Sequence, residues 1–432
     1  MRSDAHRYLW SVLPNPRCRL SVHSPLLTLL LAGLATLSAF ATDMSLPVLG
    51  DTAQSFGVTA GQAALSLSTF MIGFACAPLF SGPLSDHVGR RPVLIAGTAL
   101  YAVCGAFAAG AGSLGALLLW RLLMGAGAGT GFVIVVAMVR DLFSGAEARV
   151  RQSYVNLAAG VAPVIAPSAG VMVAAVGGWR AIYGVLAAGA ATLVIIAWFA
   201  LDESLTPSHR DVSSYRDHVV RVRAGYARVF RERLSVGSIL MAALNFGALF
   251  AYVTGSSLVL IGVLGVSKRT YGLLFACTSL GLMIGALTNA RLSRRGVSHQ
   301  VLVAWGMTAI TGTAAAMCAL SIAGVTSVSA IVPLAALGFI GHGIVRPNVV
   351  QGALEPVPEV AGVASAILSA IQMATGAGVC ALVSTFFDGT SARSMTVAQL
   401  LCALLSVFVL VLVVLPAERQ LVARQRTVVG SG

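Results

Sequence analysis

Only one lysine, Lys268, occurs in 432 residues, and charged side chains of every kind make up just 10% of the chain. Soluble globular domains carry roughly a quarter charged residues, so water is not the main solvent of this protein. The seven cysteines stand singly, without the paired spacing of a disulfide framework or a metal site, and six lie inside apolar stretches, where they read as small core residues. No Gly-x-x-x-x-Gly-Lys loop is present, and the single lysine is far from any such setting, which argues against ATP as the energy source. Nor is there a nucleophile elbow, a His-Glu-x-x-His run or a Cys/His cluster, so no enzymatic activity, metal or cofactor is expected, and an embedded hydrolase is a distant alternative.

What the chain has in abundance is apolar sequence: 57% of residues are hydrophobic, and the mean hydropathy is +0.88. Apolar stretches of about 20 residues, each long enough to cross about 30 Å of hydrocarbon as a helix, recur along it. Division at charged and turn-forming clusters predicts spans near 26–47, 63–82, 92–112, 115–138, 153–176 and 180–200. A polar segment with seven arginines follows, and six more spans are predicted near 237–262, 271–290, 299–322, 328–348, 361–386 and 396–416. The expected organisation is therefore all-α, with six-helix bundles at 26–201 and 237–416, a central loop at 202–236, and tails at 1–25 and 417–432. Arg2, Arg7, Arg17 and Arg19 precede a first apolar stretch that is too long for a signal-peptide core and lacks a small-residue cleavage site, so that stretch is expected to be retained.

The net charge of +13 would suggest nucleic acid in a soluble protein. Here it sorts by topology. With a cytoplasmic N-terminus, only Arg180, Lys268, Arg269 and Arg393 of the 28 basic residues fall outside, and Arg121 falls within the membrane. Both termini are thus expected in the cytoplasm, with the basic excess serving topology and contact with anionic lipids, and nucleic acid is not an expected partner. The halves also repeat: Gly82-x-Leu84-x-Asp86 recurs 203 residues later as Gly285-x-Leu287-x-Asn289, each followed by arginines. A duplicated six-helix unit places a substrate site between the halves, near the bilayer midplane.

The segment Gly82-Pro83-Leu84-Ser85-Asp86-His87-Val88-Gly89-Arg90-Arg91-Pro92 resembles the loop signature of the major facilitator superfamily. Gly82 is expected to permit close helix packing, Gly89 a tight turn, and Asp86 to cap a positive helix end. The resemblance implies a conformational latch, with Asp86 facing the start of the eleventh span and Arg90 pairing near Asp141; a solvated turn with topology-setting arginines is the plainer reading. Leu117-Leu118-Leu119-Trp120-Arg121-Leu122-Leu123-Met124-Gly125-Ala126-Gly127 resembles the superfamily's motif in its fourth helix. Gly160-Val161-Ala162-Pro163-Val164-Ile165-Ala166-Pro167-Ser168-Ala169-Gly170 resembles the motif of its antiporter branch, which implies export; Gly160 and Gly170 would permit close packing, and Pro163 and Pro167 would bend the helix.

Ala41-Thr42-Asp43-Met44-Ser45-Leu46-Pro47, Val139-Arg140-Asp141-Leu142-Phe143, Gly178-Trp179-Arg180-Ala181-Ile182 and Phe250-Ala251-Tyr252-Val253-Thr254-Gly255-Ser256 are together similar to the Bcr/CflA branch of drug exporters. This implies a monomer of the bacterial inner membrane that exchanges protons for small hydrophobic compounds, antibiotics such as chloramphenicol or bicyclomycin among them. An uptake or metabolite carrier of the same fold is an alternative that the Gly160 to Gly170 motif disfavours. A non-transporting membrane sensor is another, which the short tails disfavour.

Asp43 is the carboxylate that lies within the first six spans away from their cytoplasmic ends, and it is the candidate proton site. Arg121, about 9 Å inside its helix by rise per residue, is its candidate modulator, unless it snorkels to the outer interface. Phe70, Asn245, Phe246, Tyr252 and Gln372 are candidates to line an apolar substrate cavity with few polar anchors, although the polar ones would also serve as interhelical bonds. His342, between Gly341 and Gly343, could titrate near neutral pH or be a hydrogen-bonded structural residue. Arg346, at the inner end of the tenth span, reads as an anchor.

Overall fold

The computed structural model describes Ser21, residues 24–205 and residues 215–420, side chains of 215–222 aside. Most of the two expected tails, and 206–214 of the central loop, lie outside these described residues.

Serine and threonine start many of the helices by accepting a first-turn backbone N–H, which settles one of the four donors a helix start leaves open. Ser24 caps α1 (Pro25–Asp43). Thr59 forms a reciprocal capping box with Gln62 at the start of α3 (Ala60–Val88), after the short α2 (Leu49–Phe56). Ser113 caps α5 (Leu114–Leu142), which follows α4 (Arg90–Ala109). In the second half Ser267, Ser298 and Ser327 cap α9 (Lys268–Arg294), α10 (His299–Ile322) and α11 (Val328–Leu354). The remaining elements are α6 (Gly145–Ala200), α7 (Tyr215–Arg231), α8 (Arg233–Ser257), α12 (Ala361–Thr385) and α13 (Arg393–Val409).

Among the described residues eleven helices are long and apolar enough to cross a membrane. One of them, α6, has 56 residues, a rise of about 84 Å, nearly three times the hydrocarbon thickness. It breaks at Gly177 and Gly178, the latter at φ +68°, and so supplies two spans. The expected twelve spans are therefore present. Two details differ from the sequence reading. The first span stops at Asp43 rather than running to 47, because Pro47 has no N–H to continue the ladder, and a 3-10 turn (Leu46–Val48) then leads into α2. The central loop contains α7, whose five arginines (Arg216, Arg221, Arg223, Arg228, Arg231) conceal a helix in a segment read as polar linker.

In the first half α3 packs on α5, α4 on α5 and α6, and α1 on α6; in the second α9 and α10 pack on α11, and α8 on α12 and α13. The halves meet along α3 with α12 and α6 with α9. Lipid gives helices no hydrophobic reason to associate, so they approach until backbones touch, and glycine permits this. A Cβ on Gly73 would lie 1.9 Å from the Leu122 carbonyl oxygen, and one on Gly125 2.0 Å from that of Phe70. The second half repeats the seam: Gly285 would meet the Ile340 oxygen at 2.1 Å and Gly343 that of Leu282 at 2.3 Å. Gly97 with Gly127, and Gly306 with Gly341, form a second matching pair of seams.

Gly125→Ala is expected to lower the unfolding midpoint in detergent, at a cost of about 1–3 kcal/mol for displaced backbone. Gly115→Ala, whose methyl would meet nothing within 4 Å, should leave it unchanged or raised. Equal midpoints for the two variants would contradict the seam.

Candidate functional site

Three other elements converge on the backbone around the end of α1 and the turn that follows it. Arg121 of α5 donates from Nη1 to the Ala41 oxygen at 2.9 Å. Gly170 of α6 sits so close to Met44 that a Cβ would be 2.2 Å from its oxygen. Ser257 of the opposite half donates to the Leu46 oxygen. Asp43 lies in the middle of this convergence, buried.

No cation pairs with Asp43 among the described residues. Its Oδ1 is 3.0 Å from Thr42 Oγ1, and that hydroxyl is also 3.0 Å from the Ala39 oxygen and 3.2 Å from that of Ser38. The hydroxyl has one hydrogen. When it bonds a backbone carbonyl, only a protonated Asp43 can complete the contact, by donating to Oγ1. An ionised carboxylate here would have a single hydroxyl to offset its desolvation.

Arg121 is fully buried and does not snorkel. Its Nε donates to the Ser66 oxygen at 3.2 Å, and its guanidinium lies over the Phe70 ring at 4.5 Å and the Tyr183 ring at 5.6 Å. Its Nη2 has no hydrogen-bond partner. Asp43 and Arg121 thus share one region, joined through the Ala41 carbonyl rather than by a direct ion pair.

A second charged cluster lies at the opposite ends of the helices. Arg90 Nε is 3.0 Å from Asp141 Oδ2, and Arg90 Nη1 is 2.6 Å from Asp86 Oδ1. Asp86 is engaged by Arg90, one turn further on, rather than capping the start of α12 as the resemblance implied; no α12 partner for it occurs among the described residues. Gly89 makes the turn at φ +116°. Glu203, which the sequence reading passed over, completes the cluster. It accepts from Arg90 N at 2.8 Å, Arg91 N at 3.2 Å and Leu205 N at 3.0 Å, so it caps the positive start of α4. A Cβ on Gly89 would strike its Oε2 at 2.3 Å, a second reason for glycine there. Arg91 reaches back to the Trp198 carbonyl oxygen. Gly82, expected to allow close packing, faces open space, and so does Gly160 of α6; in that motif Gly170 is the glycine in tight contact. Pro163 and Pro167 lie inside α6.

At the Asp51 end the halves are tied together. Lys268 Nζ is 2.6 Å from Asp51 Oδ1. A Cβ on Gly61 would meet the Ser384 oxygen at 2.2 Å, and one on Gly272 would meet Ser168 Oγ at 2.9 Å. In the nearby loop, Asp388 accepts from Thr390 N, Ser391 N and Ser391 Oγ, which holds its carboxyl well below the usual carboxylate range.

The substrate candidates are distributed over separate packed contacts. Phe70 is buried under Arg121, and Tyr252 is buried between Phe275 and Phe339. Asn245 spends its amide on the Met241 oxygen and Ser406 Oγ, each at 2.9 Å, the interhelical use that was the alternative. Phe246 stacks near Phe250, and Gln372 donates to the Ala242 oxygen at 3.4 Å. Phe246 and Met71 meet at Gly376, where the halves touch near mid-membrane.

Comparison with known proteins places these features in a lineage. The sequence pattern of the Major Facilitator Superfamily matches residues 31–379. A bicyclomycin resistance protein homolog of Haemophilus influenzae is 26% identical over 83% of this chain and 89% of its own length. Multidrug resistance protein D of Escherichia coli is 28% identical over 88% of this chain and 94% of its own. A chloramphenicol resistance protein of Pseudomonas aeruginosa is 28% identical over 78% and 79%. Among solved structures, a D-xylose-proton symporter superposes with a TM-score of 0.67 at 15% identity, over 89% of this chain and 97% of its own, a likeness of fold alone.

Glu203→Ala, which strands three backbone N–H groups, is expected to destabilise the protein by about 1–3 kcal/mol, while Glu203→Gln retains part of the loss through its amide oxygen. Detergent unfolding midpoints measure this, and an unchanged midpoint in the alanine variant would remove Glu203 from the cluster.

Proposed function

We propose, on the premise that this chain belongs to the Major Facilitator Superfamily, that it exports small hydrophobic drugs and antibiotics in exchange for protons, by alternating access between its two six-helix halves. Its relatives bear the names of resistance proteins for bicyclomycin, chloramphenicol and multiple drugs. Together with the segments around Asp43, Asp141, Trp179 and Tyr252, these names support placement among the Bcr/CflA-type drug exporters.

The observation that carries the proton-driven reading is Asp43: a buried carboxyl at the break of α1, without a cationic partner among the described residues, held by one hydroxyl that can act as donor or acceptor. Protonated from the outside, it is neutral and tolerates closure. Facing the cytoplasm it loses the proton, and the new charge, next to carbonyls already shared with Arg121, alters the balance between states. No resident cofactor takes part, and the proton gradient supplies the energy. The Asp86, Arg90, Asp141 and Glu203 cluster is the cytoplasmic switch, and the Asp51 with Lys268 contact lies outside, so this conformation is closed to the outside. Gly170 ties the proline-containing α6 to the residue following Asp43, which couples the antiporter motif to the proton site. The protein is a multi-pass monomer of the bacterial inner membrane with both termini cytoplasmic, its arginine-rich inner face contacting anionic lipids.

In energised inverted vesicles, accumulation of a radiolabelled hydrophobic drug should collapse with a protonophore, and Asp43→Asn should accumulate none while remaining folded in the membrane. Protonophore-sensitive accumulation retained by Asp43→Asn would remove Asp43 from the mechanism.

A further inference from the structure

A small cavity lies within the second half, between α8, α10, α11 and α13, and none of the residues assigned above to proton or drug lines it. It measures about 10 Å³, room for about one water molecule. Most of its lining residues are apolar, Met317 and Phe339 among them, yet Thr313, His342 and Gln399 also line it. All three are more than nine-tenths buried, at 7%, 7% and 8% exposure. Gln399 Oε1 has no hydrogen-bond partner. His342 makes no hydrogen bond among the described residues; its ring meets Phe339 edge-on at 6.2 Å. Thr313 donates to the Ala309 and Ile310 carbonyl oxygens, at 2.7 and 3.1 Å, and keeps lone pairs to accept with.

Buried amide and imidazole groups left unpaired in an apolar wall cost free energy, and one water with about three hydrogen bonds relieves that cost. The cavity offers what such a water needs: acceptors on Thr313 and Gln399, and an imidazole nitrogen that donates or accepts. No other lining residue titrates. Tyr252 packs on Phe339 rather than lining the cavity. Arg346 stands one turn further along α11 and is exposed. The other neighbours of α11 bring no charge to this depth: α9 meets it through Gly281 and Gly285, α12 has no charged residue, and Arg233, His299 and Arg393 stand at helix starts. His342 itself lies about 21 Å from the start of α11 by rise per residue, near mid-membrane, where coupling sites of such folds are placed.

We infer that this cavity is a second proton site: it holds one water against His342, Gln399 and Thr313, and His342 takes a proton through that water when separation of the halves admits solvent to it. In the step, one O–H bond of a hydronium ion breaks and one N–H bond of the imidazole forms, leaving water and imidazolium, with no oxidation or reduction. Closure away from solvent returns the neutral ring. The coupling role rests on the proton-driven reading above, whereas the site itself does not.

Two measurements separate them. In protein labelled with 15N-histidine and held in nanodiscs, the resonances lost in His342→Gln identify the ring. That ring is expected to gain a proton on acidification and to shift its midpoint when a transported drug is added; a ring that stays neutral throughout, with and without drug, overturns the site. In vesicles, His342→Gln is expected to keep drug binding but to change the pH profile of efflux and lower the number of protons exchanged per drug. Gln399→Met, which removes the unpaired oxygen while leaving the ring, should move the same profile in the same direction. Unchanged profiles in both variants overturn the coupling role. Wild-type efflux indifferent to a protonophore would defeat the antiport reading instead, and the nuclear resonance result would still decide the site.

Discussion

Backbone contact at glycine is the constraint on which the rest of this structure depends. Inside a bilayer every peptide group must be satisfied within its own helix, and no hydrophobic force draws one helix to another. What remains is close packing. The Gly73 and Gly125 seam between α3 and α5, and its counterpart at Gly285 and Gly343 between α9 and α11, bring helices to distances at which a single methyl group would collide with a carbonyl oxygen. Each half is thereby stiff. Motion needed for transport falls to the surfaces between halves, where α3 meets α12 and α6 meets α9.

The polar chemistry sits where this regularity fails. Pro47 ends the first helix early, and Arg121, the backbone approach at Gly170, and Ser257 of the other half meet the backbone on either side of that break. Asp43 is therefore placed where both halves and the motif-bearing α6 converge. At the far end, Arg90 is shared between Asp86 and Asp141 while Glu203 caps α4, so three carboxylates gather around the start of that helix. Breaking any one contact leaves others in place, which suits a junction that must part and re-form.

Much of this was legible in the sequence because membrane constraints act on long stretches. The twelve spans followed from apolar length, and the burial of Arg121 and the closeness of Arg90 to Asp141 followed from motifs. The glycine-to-carbonyl seams were only half visible, since Gly82 and Gly170 look alike in sequence, yet only Gly170 meets a neighbour. Glu203 was missed because a single carboxylate after a helix gives no periodic signal; its role depends on a chain reversal that places it against Arg90, 113 positions away in sequence. The helix at Tyr215–Arg231 was hidden by its arginines, which read as a linker when hydropathy alone is scanned. The substrate candidates were chosen by residue type, and residue type does not distinguish a ring that faces a cavity from one, like Tyr252, packed among other rings.

If the two halves alternate as proposed, they separate at the Asp51 end during export. Cysteines placed at 51 and 268 in a background without the native cysteines, and joined by a short bifunctional thiol reagent, test it directly. The account predicts that drug efflux stops on joining and returns when a cleavable linker is cut; efflux continuing at full rate with the two positions joined would contradict it.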